Sequence, residues 1–352
     1  MEIEFHNRER EIQEVMNLLT SRPDLITFVY GPINSGKTEL FNHIINALSD
    51  DFVVFYINLR ERMVRDYNDF IEALFEINVG GRRKVIVKEL IAEMTKFTGI
   101  PISKDLLNLF FKEDKPKDAF RYIVEVMKDV RTKGKIPALF LDELQKIGDI
   151  KVDNYLIYEL FNLFIRLTKE LHCCHVFAIT SDSLFIEKVY AEAMLQGRCR
   201  YLFVDDFDYE TTKNFLERYG FSEEEIGMTW EYFGGKPVYL VEAVKNKHRL
   251  KTFCEEILNL RKNEIKQALK VLKELGDEVE IRGKVYAVEY DRVVSALREL
   301  AEQELLPNAV DEVTKRYLIR ENLIFADPVR GLLKPQSRLD LLAVKRVLEE
   351  VR

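Results

Sequence analysis

Apolar positions along this chain follow two rhythms. Short unbroken runs, Leu25–Tyr30, Phe52–Leu59, Ala138–Leu141 and His175–Ile179, show no polar alternation, as in parallel strands covered on both faces. A last run, Tyr201–Val204, follows a turn containing Arg198 and Arg200. Elsewhere the apolar residues recur at helical spacing: Ile12, Val15, Met16 and Leu19, then Leu40, Phe41, Ile44, Ile45 and Leu48. The pattern between Arg60 and Lys135 predicts helices near Tyr67–Phe75, Val85–Phe97, Lys104–Phe111 and Lys117–Thr132. A further helix is expected over Asn154–Leu171. Strand and helix therefore alternate in an α/β fold with a parallel sheet core.

The rhythm changes after Asp206-Phe207-Asp208. Tyr209–Leu275 reads as wholly helical, broken by Gly234-Gly235-Lys236-Pro237, where the glycines permit a reversal and Pro237 suits a helix start. From Val279 to Val288 a strand-turn-strand pattern surrounds Arg282-Gly283. Helices over Asp291–Leu305 and Ala309–Leu318 precede two short strands, Leu323–Asp327 and Gly331–Pro335, and a closing helix spans Ser337–Val351. Helix, helix and hairpin is the order of a winged-helix domain. The expected organisation is a core over 1–206 with a helical insertion at about 60–136, a helical lid over 207–275, and a winged helix over 276–352.

Length supports that division, because 352 residues exceed one ordinary core. No apolar run is long enough to span a bilayer, and Met1-Glu2-Ile3-Glu4 lacks the form of a signal peptide, so a cytoplasmic location is expected, with no membrane partner. A net charge of -7 argues against a surface that binds polyanions throughout but leaves room for a local basic patch. Gly80-Gly81-Arg82-Arg83-Lys84 could be such a patch, but three charges without interleaved aromatics read rather as an exposed loop between helices. The four cysteines show no disulfide spacing. His172-Cys173-Cys174-His175, taken as strand residues pointing alternately to opposite faces, cannot converge on one metal ion.

Candidate chemistry concentrates in two motifs. Gly31-Pro32-Ile33-Asn34-Ser35-Gly36-Lys37-Thr38 fits the phosphate-loop pattern G-x-x-x-x-G-K-[ST], between a strand and a helix that begins near Glu39. The glycines allow backbone N–H groups to face an anion, Lys37 reaches terminal phosphates, and Thr38 offers a hydroxyl to Mg²⁺. The run Ala138–Leu141 ends in Asp142-Glu143. Two carboxylates at the end of a buried strand are costly unless a cation or reacting water compensates. Asp142 is the expected Mg²⁺ ligand, through water, and Glu143 the base that activates water.

The segment Asn7-Arg8-Glu9, the phosphate loop, Asp142-Glu143, Thr180-Ser181, Gly197-Arg198 and Gly-Gly-Lys-Pro occur in one order between residues 5 and 240. In that order the chain resembles the archaeal ATPase family of P-loop NTPases, close to the AAA+ and STAND groups. The resemblance implies ATP as the nucleotide. It places Asn7 and Arg8 beside adenine and ribose, with Asn7 also readable as a helix N-cap. It makes Thr180 or Ser181 a sensor of the γ-phosphate, although Ser181 or Ser183 would equally cap the next helix. Arg198 would face the nucleotide of a neighbouring copy in a homo-oligomer, or form a surface ion pair. Lys236 and Pro237 would approach the nucleotide from the lid, and no separate lid arginine is evident.

Three functions are consistent with these residues: a slow Mg²⁺-dependent ATPase acting as a conformational switch, an ATP-gated DNA-binding regulator, and a nucleotide-gated scaffold with negligible turnover. DNA contact would fall to Arg316, Arg320, Arg330 and Lys334. Yet the segment from Tyr286 onward carries 11 basic against 12 acidic residues, which suits a protein-contacting or structural wing at least as well.

Overall fold

The computed structural model describes residues 3–61, 64, 66–77, 94–112, 116–147, 156–191, 193–281, 283–307 and 310–350. Gly80–Lys84 and most of the expected Val85–Phe97 helix lie outside these residues.

Strands β1 (Ile26–Tyr30), β2 (Phe52–Asn58), β4 (Lys96–Phe97), β6 (Ile136–Asp142), β7 (His175–Ile179) and β8 (Cys199–Phe203) form one sheet in the order β4-β2-β6-β7-β1-β8. Every described pairing in it is parallel. The unbroken apolar runs have a direct cause here. In β2, Val53, Phe55 and Ile57 point into one core, while Phe52 and Val54 point into the core on the opposite face. Helices Glu9–Thr20 and Lys37–Ala47 cover that second face, through Val15, Leu19, Leu40, Phe41 and Ile44. β7 lies between β6 and β1, so the chain reverses its direction of winding at β1. Ligand crevices form beyond the carboxyl ends of strands at such a reversal.

The excursion between β2 and β6 is less helical than its sequence rhythm suggests. Lys96 and Phe97, expected in a helix, form the edge strand β4 and pair with Val54 and Phe55. β3 (Phe75–Ile77) and β5 (Ile100–Ile102) make a separate parallel pair. Phe97 stacks on Phe55 with ring centroids 5.5 Å apart, so burial of one aromatic ring overrides the local helical spacing. A second correction concerns the Cys pair: Cys173 and Cys174 are buried but precede β7, and His172 has φ of 48°. The alternating-strand argument therefore does not apply to them.

Beyond β8 come helices Tyr209–Arg218, Glu223–Phe233, Pro237–Lys245 and Leu250–Leu275. The antiparallel pair β9 (Glu278–Ile281) and β10 (Lys284–Ala287) follows, then helix Tyr290–Gln303, β11 (Leu306–Pro307), helix Glu312–Arg320, β12 (Ile324–Asp327), β13 (Leu332–Pro335) and helix Arg338–Glu350. β11, β13 and β12 form a small antiparallel sheet. One hydrophobic cluster joins the helices of Tyr209–Leu275 to this last segment, from Phe215, Phe233, Leu240 and Phe253 to Leu297, Tyr317, Leu339 and Val347. No helix among the described residues is long and apolar enough to cross a membrane.

The C-terminal segment is also bound to the core. Tyr30 donates to Asp327 at 3.0 Å, and the Ala326 N–H donates to the Ser183 hydroxyl at 3.1 Å. Lys315, almost fully buried, pairs with Glu187 and Glu312 at 2.8 and 2.7 Å. Lys334 bonds Asp205, and Arg330 lies 4.6 Å over the Phe203 ring beside Asp327. Arg316 pairs with Glu312 at 2.7 Å and Arg320 with Asp277. All four cations proposed for DNA contact are thus engaged with acids of their own chain.

Candidate nucleotide site

The phosphate loop occupies the crevice that the topology leaves beyond β1. Gly31 cannot be larger, since a Cβ there would sit 2.0 Å from the Val204 carbonyl oxygen. Gly36 precedes the first helical residue, Lys37, and the Leu40 N–H donates to its carbonyl at 2.9 Å. Lys37 is buried and folds back on the loop, donating to the carbonyls of Gly31 and Pro32 at 3.0 and 2.8 Å, with the Ser35 hydroxyl 3.4 Å away. Burial, followed by the nearby Lys236 cation, lowers its pKa to about 7. The amine donates in all three contacts, to two carbonyls and a hydroxyl oxygen.

β6 brings the two carboxylates to the same end of the sheet. Asp142 Oδ2 accepts from Thr38 Oγ1 and from the Tyr56 hydroxyl, both at 2.8 Å, and its Oδ1 accepts from the Glu143 N–H at 2.9 Å. Burial and the Asp142 carboxylate push the Tyr56 phenol upward, so it remains a donor. Glu143 has φ of 61°, a costly conformation for a residue with a side chain and one that clusters at functional sites. Its Oε2 accepts from Gln145 Nε2 at 2.6 Å, and Gln145 Oε1 accepts from Thr180 Oγ1 at 2.7 Å. The Asp182 N–H donates to Thr180 in turn, at 3.1 Å. On its other oxygen Glu143 pairs with Arg60 at 2.8 Å. Thr180 therefore connects to Glu143 through one side chain.

Lys37, Thr38, Asp142 and Glu143 line a cavity of about 570 Å³, whose apolar lining includes Phe5, Phe207, Phe215, Val238 and Val241; Tyr56, Gln145 and Thr180 stand behind them, outside the lining. The lining thus combines charged and polar groups with aromatic and aliphatic ones. Ile33, Asn34, Ser35, Gly36, Lys37, Thr38, Glu39, Arg8, Ser181 and Pro237 all reach the cavity, as do Asp142, Glu143 and Arg60.

Other expected residues take different places. Asn7 is no helix cap: it has φ of 58°, and its Nδ2 donates to Thr211 Oγ1 at 2.9 Å, tying the N-terminal segment to the lid. Arg8 occupies the cap position without a side-chain cap bond. It is buried and donates to the carbonyls of Ser35 at 2.7 Å and Asp205 at 2.6 Å, so it bolts the phosphate loop to the end of β8. The helix after Ser181 is capped by Asp182, whose Oδ1 accepts from Leu184 and Phe185, rather than by Ser181 or Ser183. Its oxygen is placed for the first-turn N–H groups.

Lys236 is turned away from the cavity. Its amine is buried against Asp206 at 3.0 Å and donates to the carbonyls of Ile33 at 3.0 Å and Gln336 at 2.8 Å. Gln336 in turn accepts from the Ile33 N–H at 3.3 Å. Gly235 makes this junction possible, since a Cβ would lie 1.7 Å from the Phe207 carbonyl oxygen. Arg198 is exposed at the opposite, amino end of the strands, where its carbonyl accepts from Ile26, and its Nη1 donates to Met194 O at 3.0 Å. The length of β1 separates it from the phosphate loop of its own chain by roughly 15 Å.

Sequence reading missed Tyr56, Arg60, Gln145 and Gln336. Only Gln145 had a local signal, its position two residues beyond Glu143.

A parallel sheet with a phosphate loop after its first strand, and a carboxylate pair on a strand not adjacent to it, defines a P-loop NTPase fold. The chain belongs to the archaeal ATPase family: the family described as "ATPase domain predominantly from Archaea" matches residues 5–243. The domain described as "Uncharacterized ATP-binding protein MJ1010-like, C-terminal domain" matches residues 251–348. An ATP-binding protein of Pyrococcus abyssi is 48% identical over 98% of this chain and 99% of its own length. One from Methanocaldococcus jannaschii is 43% identical over 99% of each. The solved Walker-type ATPase of Pyrococcus abyssi shares the fold, with a TM-score of 0.64 at 18% identity, covering 97% of this chain and 96% of that one.

Proposed function

We propose that this chain binds ATP with Mg²⁺ and hydrolyses it slowly, using the bound state to switch its conformation. The observation that carries the reading is the Thr38–Asp142–Glu143 arrangement beside Lys37, in a cavity also lined by Phe207, Phe215, Val238 and Val241. The phosphates would lie along the loop N–H groups and Lys37, and the adenine against Phe207 and Phe215. Thr38 and Asp142 fit as holders of Mg²⁺: their oxygens already converge, and the metal would supply neutralisation of charge on the phosphate oxygens. Glu143 would take the proton of the attacking water, while Gln145 and Thr180 fix its orientation. The relatives' names support ATP over other nucleotides.

We place the division of labour as expected from the sequence: core over 1–206, lid over 207–275 and a winged helix at the C-terminus. The internal pairing of Arg316, Arg320, Arg330 and Lys334 favours a wing that reports on the core over one that reads DNA. Arg198 stands too far from its own phosphate loop for a role in cis, so any contact with nucleotide would require a second copy of the chain.

The test is a pair of variants. Glu143→Gln should bind ATP at least as tightly as the parent and stop phosphate release; unchanged turnover removes Glu143 from the role of base. Lys37→Ala should abolish ATP binding, and tight binding by that variant would refute the assignment.

A further inference from the structure

Arg60 is unaccounted for by any motif, yet it stands at the reactive end of the cavity. β2 pairs with β6 in a register that sets Asn58 against Asp142, so the chain leaves the sheet beside the carboxylate pair. A short 3-10 turn, Leu59–Glu61, follows, and Asn58 Oδ1 accepts from the Arg60 N–H at 3.0 Å. This holds Arg60 at the cavity rim, with Lys37, Thr38, Asp142 and Glu143 in the same lining. Its guanidinium meets Glu143 Oε1 at 2.8 Å.

The two partners are unequally exposed. The Arg60 side chain is 66% exposed and that of Glu143 only 9%. The exposed guanidinium gives up little of its own hydration by changing partners, whereas the buried carboxylate needs a donor kept on it, which Gln145 supplies. A guanidinium fork matches a phosphate as well as a carboxylate. We infer that Arg60 is a substrate-contacting residue that discriminates nucleoside triphosphate from diphosphate, exchanging Glu143 for the terminal phosphate when a triphosphate binds. This inference rests on the reading of the cavity as an ATP site.

The geometry gives the exchange its selectivity. The loop N–H groups and Thr38 hold the inner phosphates and Lys37 reaches the terminal ones, and only a third phosphate extends past Thr38 toward Asp142 and Glu143. A diphosphate leaves Arg60 on Glu143. With a triphosphate, Arg60 adds a positive charge at the outermost phosphate, and one oxygen of Glu143 is released toward water. Gln145 keeps hold of the other oxygen, so the carboxylate does not swing away. Arg60 thus couples recognition of the third phosphate to the freeing of the base.

The experiment compares affinities of the full chain for ADP and for a non-hydrolysable triphosphate analogue, both with Mg²⁺, by calorimetry. In Arg60→Gln the preference for triphosphate should fall roughly tenfold or more, as expected for one lost charged contact, with ADP affinity within about twofold of the parent. Arg60→Lys should restore part of the preference. Glu143→Gln should tighten triphosphate binding in the parent, where it frees Arg60, and leave it unchanged in the Arg60→Gln background. An unchanged preference in Arg60→Gln, or equal weakening of both nucleotides, would overturn the inference. If the parent protein binds neither nucleotide, the ATP reading falls and this one with it; parental binding with an unchanged preference sinks this inference alone.

Discussion

Nucleotide binding should be coupled to proton uptake at Lys37. Without ligand, burial and the neighbouring Lys236 hold this amine at about 7, against an ordinary value of 10.5. Phosphates arriving at the loop bring the opposite charge within reach and restore the cation. A group at about 7 is roughly half protonated at pH 7 and one-tenth protonated at pH 8, so binding should take up about 0.5 proton at pH 7 and about 0.9 at pH 8. Titrating ATP and Mg²⁺ into the protein in buffers of different ionisation enthalpy measures this directly. Zero uptake at pH 8, or uptake that does not grow between pH 7 and 8, would refute the argument. Lys37→Arg, whose cation cannot be removed, should lose the effect in whatever binding it retains. The same shift acts on folding. The cost of burying the cation is fully present below pH 7, where folded and unfolded chains both carry the proton. It is relieved as pH rises from about 7 toward 10.5, so this group's contribution to the stability of the ligand-free protein increases over that window.

Two further substitutions separate structure from chemistry. Arg8→Ala removes a buried cation that ties Ser35 to Asp205 and pairs with Glu11 at 3.3 Å, so it should cost about 3–5 kcal/mol of stability in urea unfolding, and a loss under about 1 kcal/mol would contradict that role. Gln145→Ala should leave the Kd for ATP within about twofold but lower steady-state phosphate release by roughly 10–100-fold, because Glu143 loses its orienting donor; unchanged turnover would make Gln145 a bystander.

The parts of the site that were legible in the sequence are those built from consecutive residues. Gly31–Thr38 and Asp142-Glu143 carry their geometry locally, since a loop between strand and helix, or the end of a strand, leaves few alternatives. Parallel strands buried on both faces are equally plain. Residues brought in from a distance are not. Tyr56 reads as one more apolar strand position until its hydroxyl is seen on Asp142. Arg60 is 83 residues from its partner Glu143 in sequence, and only the register of β2 on β6 joins them. Gln336 gave no signal, because its contact with the phosphate loop depends on how the C-terminal segment packs. Asn7 failed as a cap for a related reason: its side chain is engaged by Thr211 on a helix of the lid. Lys236 sits within a recognisable motif, but the buried Asp206 decides where its amine goes.

The cluster shared by the lid and the C-terminal segment has a mechanical consequence. The 26-residue helix Leu250–Leu275 runs through it and is about 39 Å long. A rod of that length turned by 10° about one end sweeps the other through about 7 Å. The C-terminal segment is tied to the core by the Lys334–Asp205 and Tyr30–Asp327 contacts, so any such turn would be felt first at those few polar bonds. The strength of those contacts would then set how far the long helix could turn before the hairpin Ile324–Pro335 parts from the core.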